Sequence, residues 1–109
     1  MSISTNFLTT TPLIAGATFQ GVSSLWDNVL PYTKYFIQLK TDKEAKISIY
    51  QCNDSTPALN LSNIYTLTYA SLGETLIYEG DITCNNISFL LTNTSSENET
   101  NLYFSVLYR

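Results

Sequence analysis

The chain has 109 residues, five Lys and Arg against nine Asp and Glu, no His, and a formal net charge of −4. Charged residues are 13% of the total, about half the roughly 25% of an ordinary soluble domain. Without His there is no Ser–His–Asp or Cys–His machinery and no His-ligated metal, and so few cations offer no basic patch to nucleic acid or an anionic membrane.

Ser, Thr and Asn together supply 37 residues, and Tyr eight, while Ala, Glu, Lys and Arg are scarce. Strand formers joined by turn formers predict an all-β protein, and the length predicts one domain. Residues 1–16 are apolar and Thr-rich, with Ile3, Phe7 and Leu8 ahead of Pro12 and no charge before Asp27. They read as an N-terminal arm or edge strand preceding a sandwich over residues 17–109. A free segment of this kind would aggregate, so it packs on its own domain or on a neighbour's sheet edge. Intermolecular contacts are expected within residues 2–11. Leu13-Ile14-Ala15 and Ala17-Thr18-Phe19-Gln20 suggest two short strands, or one bent at Gly16. Ser24-Leu25-Trp26-Asp27-Asn28-Val29 suggests a single helical turn or an ordered loop before Pro31.

Two-residue alternation then runs to the last residue. Tyr35, Ile37 and Leu39 share one face, and after the charged turn Thr41-Asp42-Lys43-Glu44, Ile47 and Ile49 share another. The short polar connection predicts a hairpin. Asn53-Asp54-Ser55-Thr56-Pro57 is a loop. Tyr65, Leu67 and Tyr69 mark the next strand, and a turn at Gly73-Glu74 leads to Leu76, Tyr78, Gly80 and Ile82. Ile87, Phe89 and Leu91 follow, then a polar loop, then Leu102, Phe104, Val106 and Tyr108. With turns about every ten residues, the architecture expected is an antiparallel two-sheet β-sandwich, jelly-roll-like, of about eight strands. Its core candidates are Phe19, Trp26, Ile37, Leu39, Ile47, Ile49, Phe89, Leu91, Phe104 and Val106.

No run reaches the roughly 20 apolar residues that cross a bilayer, and the first residues lack the basic and apolar regions of a signal peptide. The expectation is a chain that is not secreted, with Cys52 and Cys84 as thiols rather than a disulfide. Five Asn-x-Ser/Thr triplets, at Asn53, Asn60, Asn86, Asn93 and Asn98, then reflect composition rather than glycosylation. Glu79 and Asp81, two apart on one strand face, raise a carboxylate pair for glycoside hydrolysis or calcium. A solvated strand face explains them as well and lacks the opposed geometry that hydrolysis needs. No catalytic residue, metal site or cofactor is expected. Trp26 reads as a core plug, its other role being a platform for a sugar ring. Tyr50 and Tyr103 fall out of phase with their strands' apolar residues and, with Ile3, Phe7 and Leu8, are the interface candidates.

Phe19-Gln20-Gly21, Trp26, Tyr32, Phe36-Ile37-Gln38-Leu39, Thr41-Asp42 and Ile47-Ser48-Ile49-Tyr50-Gln51 with Asn53-Asp54 follow one another in an order that resembles small β-sandwich domains of virus and bacteriophage particles. The closing strand Leu102-Tyr103-Phe104-Ser105-Val106-Leu107-Tyr108 is similar to theirs. The pattern covers about half the chain and departs from the usual form at Glu44-Ala45 and Asp54-Ser55, where Gly is common. The resemblance implies a jelly-roll-like virion structural protein, such as a minor capsid or decoration protein of a large DNA virus. Its partners would be other capsid proteins or copies of itself, and its location the virion after synthesis in the host cytoplasm. A carbohydrate-binding sandwich using exposed aromatics, and a small enzyme using carboxylates alone, are the other classes compatible with the residues.

Overall fold

The computed structural model describes residues 2–53 and 65–109. Their strands are β1 (Ser2–Thr9), β2 (Thr18–Phe19), β3 (Asp27–Asn28), β4 (Lys34–Thr41), β5 (Ala45–Cys52), β6 (Tyr65–Tyr69), β7 (Leu76–Asp81), β8 (Asn86–Asn93) and β9 (Leu102–Tyr108). A four-stranded sheet runs β1-β9-β4-β7. A five-stranded sheet runs β2-β8-β5-β6, with β3 also on β8. All pairings are antiparallel.

Because β2 and β3 both lie along β8, they act as two halves of one strand, and the fold is an eight-position sandwich of jelly-roll type. Apart from that pair, only β5 and β6 are consecutive neighbours within a sheet; the other connections cross from one sheet to the other. This corrects the expected hairpin. β4 pairs with β7 and β9, whereas β5 pairs with β6 and β8. Alternation reports which side of a strand faces inward and is silent about which strand lies beside it. The corner is held by the loop opposite: the Asp42 carboxylate accepts from Thr100 N (3.0 Å), Thr100 Oγ1 (2.7 Å) and Asn101 N (3.3 Å). These donors hold its pKa down at about 2.

The inward faces meet in one core. Ile37, Leu39, Ile47, Ile49, Phe89, Leu91, Phe104 and Val106 are all buried, as their phase predicts. Phe19 and Trp26 are both half-buried; Phe19 packs against the core, whereas Trp26 is a correction, lying outside it. They lie in or next to two-residue strands at the sheet margin, where there is no third layer to cover them. Phe19 still packs edge-on against Phe104, with ring centroids 6.0 Å apart.

Phe7 is the larger correction: an interface candidate by sequence, it is completely buried. Strict alternation would place it on the same side as Ile3. However, β1 advances from Ile3 to Leu8 while β9 moves only from Leu107 to Ser105. This bulge turns the chain over, Phe7 N donating to Ser4 Oγ at 2.9 Å. The ring then meets Phe89 edge-on at 5.2 Å.

Residues 2–9 are thus the edge strand β1 of their own sheet. The bulge also aims Asn6 at the loop beyond β2. Its Oδ1 accepts from Ser23 N and Ser24 N, both at 2.9 Å, and its Nδ2 donates to Ser24 O at 2.7 Å. Gly21 is required there, because φ is +98° and a Cβ would stand 2.3 Å from Ser24 O. Residues 13–15 form no strand. They are held instead by the loop after β8: Glu99 N and Asn93 Nδ2 donate to Leu13 O, and Leu13 N donates to Glu99 Oε1. Residues 24–29 are a loop carrying β3, with Asp27 Oδ2 accepting from Ser4 Oγ at 2.5 Å and Tyr108 OH at 2.6 Å.

Candidate interaction surface

The same alternation that fills the core lays out the opposite face of the four-stranded sheet, where register fixes the rows. Arg109, Lys34 and Asp81 form the first. Ile3, Leu107, Phe36 and Glu79 form the second, and Leu8, Ser105, Gln38 and Ile77 the third. Tyr103 and Lys40 complete the face. Ile77 is 72% exposed, Ile3 60%, Tyr103 41% and Leu8 37%, with Phe36 and Leu107 half-buried between them. An apolar group gains nothing by standing in water, and scattered single ones need no explanation. Here they recur on all four strands of one face, with Ser105 and Gln38 between Leu8 and Ile77. So many exposed apolar groups on one face mark a candidate contact surface.

Charges rim this patch. Lys34 Nζ lies 2.5 Å from Asp81 Oδ1 and 3.6 Å from Glu79 Oε2. The hydrogen bond to Asp81 is the main reason that the Lys34 pKa is raised. The Arg109 guanidinium stands 5.1 Å from the centroid of the Phe36 ring, a cation–π contact. Glu79 and Asp81 therefore flank an ammonium on a solvated strand face. Among the described residues no group of three or more His, Cys, Asp or Glu is placed to hold a metal ion.

The rest of the charge is segregated along the strands. The loops beyond Lys40 and Tyr103 carry Asp42, Glu44, Glu74, Glu97 and Glu99 with only Lys43, five acids against one base. That difference is −4, the whole formal charge of the chain, and the remaining four acids and four bases cancel. Glu99 is 5% exposed. Burial raises its pKa, the Leu13 N–H bond and the Thr41 side chain opposing, and its Oε2 is enclosed with no hydrogen-bond partner assigned among the described residues.

The interface candidates thus divide three ways. Ile3, Leu8 and Tyr103 come together on this face, and Phe7 lies in the core. Tyr50 sits half-buried on the outer side of the five-stranded sheet, opposite Ser88. Phe36, Ile77 and Leu107 were missed, although each is an apolar residue out of phase with its strand, the signal that singled out Tyr50 and Tyr103. Trp26 is half-buried with its indole nitrogen enclosed rather than turned to solvent.

Cys52 and Cys84 are not joined by a disulfide. Asn86 and Asn93 are buried, and Asn93 Nδ2 is spent on Leu13 O and Glu97 O, so neither triplet is open to modification in the folded chain. The Asn60 triplet, the 54–57 loop and the start of the strand before Tyr65 lie outside the described residues. No helix among the described residues is long and apolar enough to cross a membrane. No protein-family model matches the chain, and no curated protein matches it. The fold is that of a compact all-β sandwich, and its most distinctive surface is the apolar face of the four-stranded sheet.

Proposed function

We propose that this protein is a non-enzymatic structural subunit of a virus particle, a minor capsid or decoration protein acting through protein–protein contacts. The observation that carries the reading is the gathering of Ile3, Leu8, Phe36, Ile77, Tyr103 and Leu107 on one outer sheet face. A chain with so little charge, and with one sheet face left apolar, is suited to life among other subunits rather than alone in water. The jelly-roll arrangement of the strands supports the reading, as does the resemblance of the segment from Phe19 to Gln51 and of the last strand to particle proteins.

The mechanism is mechanical. Two sheets locked through one core present the apolar face as a rigid platform, and in a shell each contact repeats many times, so that weak contacts gain avidity. Quantitative mass spectrometry of purified particles of the source virus tests this. The chain is expected at a fixed stoichiometry to the main shell protein through successive purification steps. Loss of the chain during purification, or trace amounts only, would overturn the assignment.

A further inference from the structure

We infer that the apolar face of the four-stranded sheet docks on the same face of a second copy of this chain, the strands running antiparallel across a twofold axis. This rests on reading the face as a protein contact surface. The argument for a second copy is the self-complementarity of the face under that one operation.

Take the axis along the row Leu8, Ser105, Gln38 and Ile77. Ile77, the most exposed large apolar side chain in the described residues, then packs on its own counterpart. Tyr103 and Lys40 lie to one side of that row, and Leu107, Phe36 and Glu79 to the other. Reversal of strand direction therefore sets Tyr103 over the partner's Leu107, and Lys40 over the partner's Phe36 beside Glu79.

The charges agree. Lys40 makes no ion pair within the described chain. Glu79 is the more distant of two carboxylates sharing Lys34, at 3.6 Å against 2.5 Å for Asp81. Arg109, the other cation of this face without an ion pair among the described residues, is engaged on its own Phe36 ring. The operation brings Lys40 to the weakly paired Glu79 of the other copy twice. The same reversal sends the two acidic ends, each −4, to opposite poles of the dimer. A parallel arrangement would set them side by side.

Four strands about 4.8 Å apart and some seven residues long cover a footprint of roughly half the ~800 Å² per partner of a standard interface. The pairing is accordingly weak and concentration-dependent.

Sedimentation velocity of the purified full chain, from micromolar to millimolar concentration, tests it. A concentration-dependent dimer is expected. Ile77→Asp should leave a monomer, with circular dichroism and thermal unfolding unchanged because Ile77 lies on the exposed surface. Lys40→Glu should weaken the dimer about tenfold, and adding Glu79→Lys should restore it, since two exposed pairs turn from attraction to repulsion and back. A monomer at millimolar concentration, a dimer indifferent to Ile77→Asp, or a double variant that fails to recover would each overturn the proposal. A chain monomeric in solution yet stoichiometric in particles removes the self-docking and leaves the structural role. A dimer absent from particles does the reverse.

Discussion

The outer faces of the two sheets differ in character. On the five-stranded sheet, Lys46 lies between Thr68 and Thr92, and Ser48 between Thr66 and Leu90. Thr18 and Thr92 share a hydroxyl hydrogen bond of 2.9 Å. Thr and Ser predominate here, as on a solvated sheet, with Tyr50 and Leu90 half-buried among them and Ser88 fully buried. The corresponding positions of the four-stranded sheet hold Ile3, Leu8, Phe36, Ile77, Tyr103 and Leu107 among Lys34, Gln38, Lys40, Glu79, Asp81, Ser105 and Arg109. Both sheets contribute their inner residues to the one core, so core packing does not account for the difference. It lies in the positions that a folding argument treats as free to vary, which is where a contact surface can be recorded without cost to the core.

The substitution expected to act most strongly is common to both faces. Phe89 contacts Phe7 and Tyr35 edge-on at 5.2 and 5.4 Å, so its ring ties the five-stranded sheet to two strands of the other. Phe89→Ala should cost about 3–5 kcal/mol, measured by urea unfolding, and should remove the apolar and the polar face together. If one sheet kept its chemical-shift dispersion after the other was lost, the two faces would not share a single cooperative core.

A smaller effect should start in the four-stranded sheet. Gly80 opposes Tyr35 across β7 and β4, and a Cβ there would come within 2.2 Å of the phenol ring. Tyr35 is buried, with its pKa pushed up to about 12 chiefly by desolvation, and it packs on Tyr78 at 6.2 Å. Gly80→Ala should cost about 1–3 kcal/mol through overpacking. Hydrogen exchange should speed up first on β7, where it borders the apolar face, and unaltered exchange there would mean that the ring moves aside freely.

At the acidic end two carboxylates oppose one another in their pH dependence. Glu99 has a folded pKa above its ordinary value of 4.5, so the folded state gains relative to the unfolded as pH falls through that raised value towards 4.5. At neutral pH the buried carboxylate is a net cost. Asp42 has a folded pKa near 2 against an ordinary 3.8, so its contribution is present above 3.8 and lost as pH falls towards 2. Glu99→Gln should therefore raise the melting temperature at pH 7 and flatten its change between neutral pH and pH 4.5. Asp42→Asn should lower the pH 7 value and flatten the fall below pH 4. Parallel pH profiles for the wild type and both variants would contradict these assignments.

The mildest substitutions probe the contrast itself. Phe36→Thr and Thr68→Val exchange the characters of single outer positions. Thr68→Val should alter stability by no more than about 0.5 kcal/mol, and Phe36→Thr by about 1 kcal/mol, since it also removes the contact with Arg109. Binding of a hydrophobic dye should fall only for Phe36→Thr, whose ring is on the apolar face, and equal responses at the two positions would erase the distinction between the faces.

Much of the fold is legible in the chain. Ile37, Leu39, Ile47, Ile49, Phe89, Leu91, Phe104 and Val106 could be assigned to the core from alternation alone, because the two-residue period of a strand is a local property. Phe7 could not, since a bulge inserts residues and reverses the phase, and nothing in Ser4-Thr5-Asn6-Phe7 announces the turnover before Asn6 has a loop to hold. The β4–β5 connection failed for a related reason. A three-residue polar link suits a hairpin or a corner, and the choice was made by Thr100 and Asn101, far along the chain, which supply the hydrogen bonds to Asp42.

By itself, then, the sequence determined the fold class, the strands with long uninterrupted alternation and the inward side of each, all of which follow from backbone geometry over a few residues. Tertiary structure decided which strands are neighbours, and so which outward residues share a face. Ile3, Phe36, Ile77 and Leu107 are scattered over the whole length of the chain. They meet only because sheet-crossing connections lay β1, β9, β4 and β7 side by side, and hydrogen-bond register aligns their outward side chains into rows.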